Sequence, residues 1–200
     1  MKVDETAIPG AVVVTPTQFP DDRGTFLEWF RFEPLEEALG RRFDLRQANL
    51  SVSRRGVLRG LHLAAVPPGQ AKYVTAVTGA AIDYFVDVRV GSPTFGRWDS
   101  VRLDTVDRRA VFLAEGLAHA FVALEDDTTV SYLVNDVYRP GAEFGLDPLD
   151  PQIGLALPFP VEELVLSPKD AAAPSLAQAE ADGLLPTWEQ CLARYEEDRA

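Results

Sequence analysis

The stretch AAIDYFVDV, Ala80–Val88, decides the fold. Ile82, Tyr84, Val86 and Val88 fall on one side of an extended chain, with Asp83, Phe85 and Asp87 on the other. That period of two is the mark of a β-strand, and the β-branched and aromatic content agrees. Working outward, short strand-like runs recur between turn signals. Upstream lie GAVVVTPTQF, the turn PDDRG, TFLEWF, DLRQANLSVS, GVLRGLHL and AKYVTAVTG. Downstream lie RWDSVRLD, RRAVFLAEG, AHAFVALED and TTVSYLVND, and Gly79, Gly91, Gly96 and Gly116 punctuate the series. One short helix, FEPLEEALG, interrupts it. So many strands at this spacing predict an all-β sandwich or jelly roll. There is no α/β alternation and no glycine-rich phosphate loop.

After Pro160 the pattern changes. SPKDAAAPSLAQAEADGLLPTWEQCLARYEEDR reads as a loop followed by helices. Pro174 is placed to open one helix and Gly183 to close it, and Pro186 to open another. No linker separates this tail, so the chain is expected to form one domain, 1–200. Its β core spans about 10–160, with a helical extension packed on it over about 161–200, a division drawn from the change of pattern. The last residues, YEEDRA, are expected to be a solvated end.

Composition narrows the function. The formal net charge of −12 disfavours nucleic-acid binding, which needs a broad basic surface. No apolar run approaches a membrane span, and MKVDETAIPG lacks the apolar segment of a signal peptide. A single cysteine, Cys191, forms no internal disulfide, so a reducing, cytoplasmic setting is expected. Hydrophobic residues at 46% exclude wholesale disorder. Only Lys2, Lys72 and Lys169 are lysines, among 19 cationic residues. A chain that otherwise uses arginine and keeps lysine at two interior positions hints at a need for an ammonium there.

The available chemistry is limited. His62 and His119 are the only histidines and form no His-x-His pair, which disfavours a metal centre built on imidazoles. Zinc held by sulfur lacks cysteines, and serine chemistry lacks its G-x-S-x-G elbow. Acid–base chemistry remains. His62, at the end of GVLRGLHL, is a natural general base near neutral pH. Arg59 precedes it by three residues, so a regular strand would point the two to opposite faces. Gly60 between them predicts a bulge or strong twist.

The motifs RGVLRGLHL, PPGQAKYVTAVTG, DVRVGSPTFGRW, FLAEGLAHAFVAL, VSYLVND and LSPKDAAAP follow one another in the order of one family. From TPTQFPDDRGTFLEWF to LLPTWEQC the chain resembles the dTDP-4-dehydrorhamnose 3,5-epimerases and related deoxysugar enzymes of natural-product pathways. The resemblance implies a cupin jelly roll, a homodimer that shares strands between subunits, and no metal or other cofactor. It implies inversion beside the C4 ketone of a dTDP-4-keto-6-deoxyhexose. On the same ground His62 is the base paired with Asp170, Tyr132 is the acid on the opposite face, and Lys72 stabilises the enolate. Arg23, Glu28, Gln47, Asn49, Arg59, His119, Glu143 and Lys169 match substrate-contacting positions, and Tyr138 matches an aromatic that stacks on thymine.

The chain departs from the family's common pattern at Leu63–Val66, Leu50, Leu133 and Val134. Those departures leave open whether C3, C5 or both are inverted, and on which sugar. Three other readings stay open: a 3,4-ketoisomerase, a metal-dependent oxygenase, and a non-catalytic nucleotide-sugar binding protein on the same scaffold.

Overall fold

The computed structural model describes residues 1–199. Its strands are β1 (Lys2–Glu5), β2 (Ala11–Thr15), β3 (Gln18–Asp21), β4 (Gly24–Leu27), β5 (Gln47–Ser53), β6 (Leu58–Ala64), β7 (Lys72–Thr78), β8 (Ala80–Asp87), β9 (Trp98–Asp104), β10 (Ala110–Leu113), β11 (Leu117–Ala123), β12 (Thr128–Val134) and β13 (Glu143–Gly145). A six-stranded sheet in the order β1-β2-β10-β7-β12-β5 faces a five-stranded sheet in the order β13-β6-β11-β8-β9, and β3 and β4 form a separate hairpin. Neighbouring strands in both sheets are antiparallel. This is the double-sheet jelly roll expected from the strand pattern.

Between the sheets Val74, Ala76, Phe85, Val101, Val111, Leu113, Phe121 and Val130 make one apolar core. Phe85 belongs to the second face of AAIDYFVDV. The first face, Tyr84, Val86 and Val88, points outward and is buried too, against Leu146, Ile153, Leu176, Ala179 and Leu185. The C-terminal tail therefore covers the back of the five-stranded sheet. Each fully buried side chain of this size contributes about 1.5–3 kcal/mol, which explains why the strand is apolar on both faces. A third cluster, with Leu35, Phe43, Tyr73, Phe112 and Leu133, packs α1 (Phe32–Leu39) on the back of the six-stranded sheet.

The tail forms α2 (Pro168–Ala171), α3 (Leu176–Ala181) and α4 (Trp188–Glu197). The prolines that signal α3 and α4 sit one residue before their caps. Ser175 caps α3, and Thr187 with Gln190 forms a capping box on α4, so hydroxyls satisfy the first N–H groups of each helix. The expectation of a solvated end holds for Glu196, Glu197 and Arg199, which are exposed, and is corrected for Tyr195 and Asp198. Among the described residues of YEEDRA, the Tyr195 hydroxyl donates to the Glu115 carbonyl at 2.6 Å. Asp198 accepts from Arg41 at 2.9 Å. Only Ala200 of that stretch lies outside the described residues.

Candidate active site

The two sheets splay apart at one end into an open cleft of about 350 Å³. One wall comes from β6 and β11, which supply Arg59, His62, His119 and Phe121; the other comes from β5, β7 and β12, which supply Gln47, Asn49, Ser51, Lys72 and Tyr132. Gln70, Tyr138 and Glu143 close the rim. The fixed charges on this lining are Arg59, Lys72 and Glu143, so a strongly acidic chain places two cations in the cleft.

The conflict over Arg59 and His62 is resolved by a bulge. His119 pairs with His62 and Phe121 pairs with Arg59, so two residues of β6, Gly60 and Leu61, oppose the single Ala120. The extra residue turns both side chains into the cleft. Gly60 has φ +120°, and a Cβ there would collide with the His119 carbonyl and lie 2.6 Å from the Ala120 Cβ. No other residue type adopts that backbone without strain.

His62 Nε2 lies 2.7 Å from Asp170 Oδ1. Asp170 is buried at the first turn of α2, where Ser167 caps the Asp170 N–H. An imidazole that donates from Nε2 to a carboxylate keeps its Nδ1 lone pair as acceptor. Burial pulls the His62 pKa below that of an ordinary imidazole, helped by nearby Lys72; the hydrogen bond and charge of Asp170 oppose this without cancelling it. The group is therefore a neutral base at physiological pH.

Across the cleft, Tyr132 sits directly opposite Asn49 in the β12–β5 ladder. Burial and the Glu143 carboxylate raise its pKa, against a lowering by Arg59, so the phenol holds its proton. Lys72 opens β7 between Leu113 and Val134. Burial lowers the pKa of its ammonium, while Glu143 and Asp83 pull the other way. Arg59 donates from Nε to Ser53 Oγ at 3.1 Å. Gln47 donates to Asn49 Oδ1 at 2.7 Å and accepts from the Tyr138 backbone N–H at 3.2 Å. His119 Nε2 lies 2.7 Å from Asp83 Oδ2, and burial raises the Asp83 pKa despite that partner.

Three expected residues lie elsewhere in this chain. Arg23 is exposed in the β3–β4 turn and paired with Asp21 at 2.6 Å. Glu28 pairs with Arg31 at 3.5 Å. Lys169 is exposed on α2 and does not line the cleft. Four residues were not foreseen: Asp83, Ser51, Gln70 and Phe121. Ser51 Oγ and Asp83 Oδ1 are buried without a hydrogen-bond partner among the described residues. Both carried a signal. Ser51 continues the inward period of Gln47 and Asn49, and Asp83 is an acid on the inward face of an apolar strand. Among the described residues no three or more His, Cys, Asp or Glu side chains cluster as metal ligands.

A double antiparallel sheet opening on such a cleft makes this a jelly-roll protein of the cupin type. Residues 5–178 match the dTDP-4-dehydrorhamnose 3,5-epimerase family, and the chain belongs to it. The dTDP-4-dehydrorhamnose 3,5-epimerase of Mycolicibacterium smegmatis is 55% identical over 98% of this chain and 96% of its own length. An epimerase structure from Mycobacterium tuberculosis superposes with a TM-score of 0.96 at 49% identity over 100% of both chains. The 3'-monoepimerase ChmJ of Streptomyces bikiniensis, solved with dTDP-quinovose, gives 0.94 at 45% identity over 98% of each chain. Relatives of nearly equal similarity thus include single- and double-inverting enzymes.

Proposed function

We propose that this chain epimerises a dTDP-4-keto-6-deoxyhexose beside its C4 ketone, at C3, C5 or both, in deoxysugar biosynthesis. One observation carries the reading: a carboxylate-paired imidazole on one wall faces a protonated phenol on the other. His62 Nδ1 takes the proton from the carbon next to the ketone, and Asp170 stabilises the resulting imidazolium. The electron pair moves onto the C4 oxygen, where the Lys72 ammonium stabilises the enolate as it forms. Tyr132 returns a proton from the opposite face, and the centre is inverted.

Arg59 serves the diphosphate, with guanidinium geometry suited to phosphate; Lys169, exposed on α2 outside the cleft lining, does not share that role in its own cleft. Tyr138 stacks on the thymine, and Gln47, Asn49, His119 and Glu143 orient the ligand. The reaction is read as metal-free on the residues available: the only two histidines, His62 and His119, form no His-x-His pair. The whole chain acts as one domain, and two copies form a homodimer. The β3–β4 hairpin, with Phe19 and Phe26 exposed, reaches the neighbouring protomer and carries Arg23 and Glu28 into its cleft. A cytoplasmic setting is the reading that the lone Cys191, unable to form an internal disulfide, favours.

The test is NMR of dTDP-4-keto-6-deoxyglucose with the protein in deuterated water, with and without chelator. Wild type is expected to exchange and invert at C3 or C5 in both conditions. His62→Ala is expected to abolish exchange, because no enolate forms. Tyr132→Phe is expected to keep exchange, since the base can return a deuteron from its own face, while inversion falls about 10²–10⁴-fold. Normal exchange by His62→Ala, wild-type inversion by Tyr132→Phe, or loss on chelation restored by one ion would each overturn a stated part of the mechanism.

A further inference from the structure

The Lys72 side chain has no hydrogen-bond or ion-pair partner among the described residues, so its backbone root and the packing around it place the ammonium in the cleft. That root lies at the very start of β7, where the ladder ends. Ala71, the residue before it, is fully buried, and its N–H has no strand carbonyl to meet. Asn135, just past the end of β12, supplies the acceptor. The Ala71 N–H donates to Asn135 Oδ1 at 2.8 Å, and Asn135 Nδ2 donates to Glu115 Oε1 at 2.7 Å.

Glu115 lies in the β10–β11 turn and is wholly buried, with Arg41 Nη2 donating to its Oε2 at 2.6 Å. Its aliphatic part touches Gly69, whose φ is +77° and where a Cβ would come within 2.7 Å of Glu115 Cβ and Cγ. Arg194 of α4 holds the Pro68 carbonyl of the same loop at 3.2 Å. The segment Pro68–Ala71 is thus clamped between α4, the Glu115 turn and Asn135, none of which lines the cleft.

We infer that Asn135, seated on Glu115, is a positioning residue that sets the backbone root of Lys72 for enolate stabilisation. The inference rests on the role proposed for Lys72. A displacement of about 1 Å in a catalytic group is enough to cost about 10²-fold in rate, and an amide joining the ends of β7 and β12 to the β10–β11 turn controls displacement on that scale. The effect belongs in kcat, because the enolate exists only along the reaction path and ground-state binding is carried by other residues.

The experiment is a double-mutant cycle read by deuterium exchange and by KM. Asn135→Ala is expected to lower kcat by about 10–10²-fold with KM within twofold of wild type. Added to Lys72→Ala it is expected to lower exchange little further, since both act through one ammonium. Glu115→Gln keeps an oxygen to accept the Asn135 amide and is expected to stay within about threefold of wild type, whereas Glu115→Ala shows the Asn135→Ala loss, both compared once denaturation shows them folded because Glu115 also holds buried Arg41. If Asn135→Ala fails to fold, the smaller change Asn135→Ser, which also breaks the link from Ala71 to Glu115, is expected to show the same loss. Losses that simply add in the double variant, a rise in KM without a fall in kcat, or equal damage from Glu115→Gln and Glu115→Ala would overturn the inference. Full activity in Lys72→Ala would instead remove the reading beneath it.

Discussion

His62 is tuned from two directions. Burial and the Lys72 charge depress its pKa, and Asp170 partly restores it. The neutral, proton-accepting form therefore persists to lower pH than in a free imidazole. The acid limb of kcat/KM reports the free enzyme, so its midpoint is expected below the ordinary 6.5. Asp170→Asn removes the only influence that raises the pKa. The limb is then expected to move lower still while kcat falls about 10²–10⁴-fold, because the imidazolium loses its counter-charge and its fixed tautomer. A limb at or above 6.5 in wild type, or one that rises in Asp170→Asn, would contradict this balance. His62 was legible from its rarity and its strand, and Lys72 from the scarcity of lysine. Asp170 was legible only through resemblance, because 108 residues separate it from its partner and spacing carries no information over that distance. Ser51 and Asp83 were legible in principle from the period of two. They were missed because an inward polar residue declares itself only when the opposite wall is known.

Among the elements, β6 shows most plainly how sequence dictates geometry. Two functional side chains three positions apart cannot share a face of a regular strand, and the glycine between them predicted the bulge that is observed. Gly60→Ala is expected to cost more than about 2 kcal/mol of stability, from a strained φ and a collision with the facing strand. The survivors are expected to lose activity, since relaxing the bulge sends Arg59 or His62 out of the cleft. Chemical denaturation and exchange kinetics check both, and a stable, active Gly60→Ala would show that the bulge is dispensable. β13 escaped sequence reading: three residues with no alternation are too short to signal a strand. The solvated-end expectation for YEEDRA missed Tyr195 and Asp198 because charge density alone does not reveal a partner. Arg41, far away in sequence, is buried between Glu115 and Asp198 and stacks 4.4 Å over Tyr195. Removing one member of such a buried set typically costs about 3–5 kcal/mol.

For the molecule as a whole, the layering explains which surfaces remain open. The tail covers one sheet and α1 part of the other. The outward residues Leu50 and Val52 of edge strand β5 stay exposed, as do Phe19 and Phe26 of the hairpin. An uncovered edge strand beside exposed aromatics suits association with a second copy. Sedimentation is expected to give two chains per particle. Co-expressing Arg23→Ala with His62→Ala is expected to restore activity toward about a quarter of wild type, since half the particles are mixed and one of their two clefts is intact. No restoration would mean that Arg23 serves its own cleft or none.

The position of Asp170 in the chain has one more consequence. It follows all thirteen described strands in order of synthesis, so every wall of the cleft precedes the carboxylate that completes its base. A chain cut short anywhere between β13 and α2 would carry the ammonium, the phenol and the imidazole, yet leave that imidazole unpaired. It would also lack Leu176, Ala179 and Leu185, leaving part of the back of the five-stranded sheet uncovered. The last part of the layer that buries this sheet follows closely on the residue that completes the base, so the same last quarter of translation finishes both the packing and the catalytic pair.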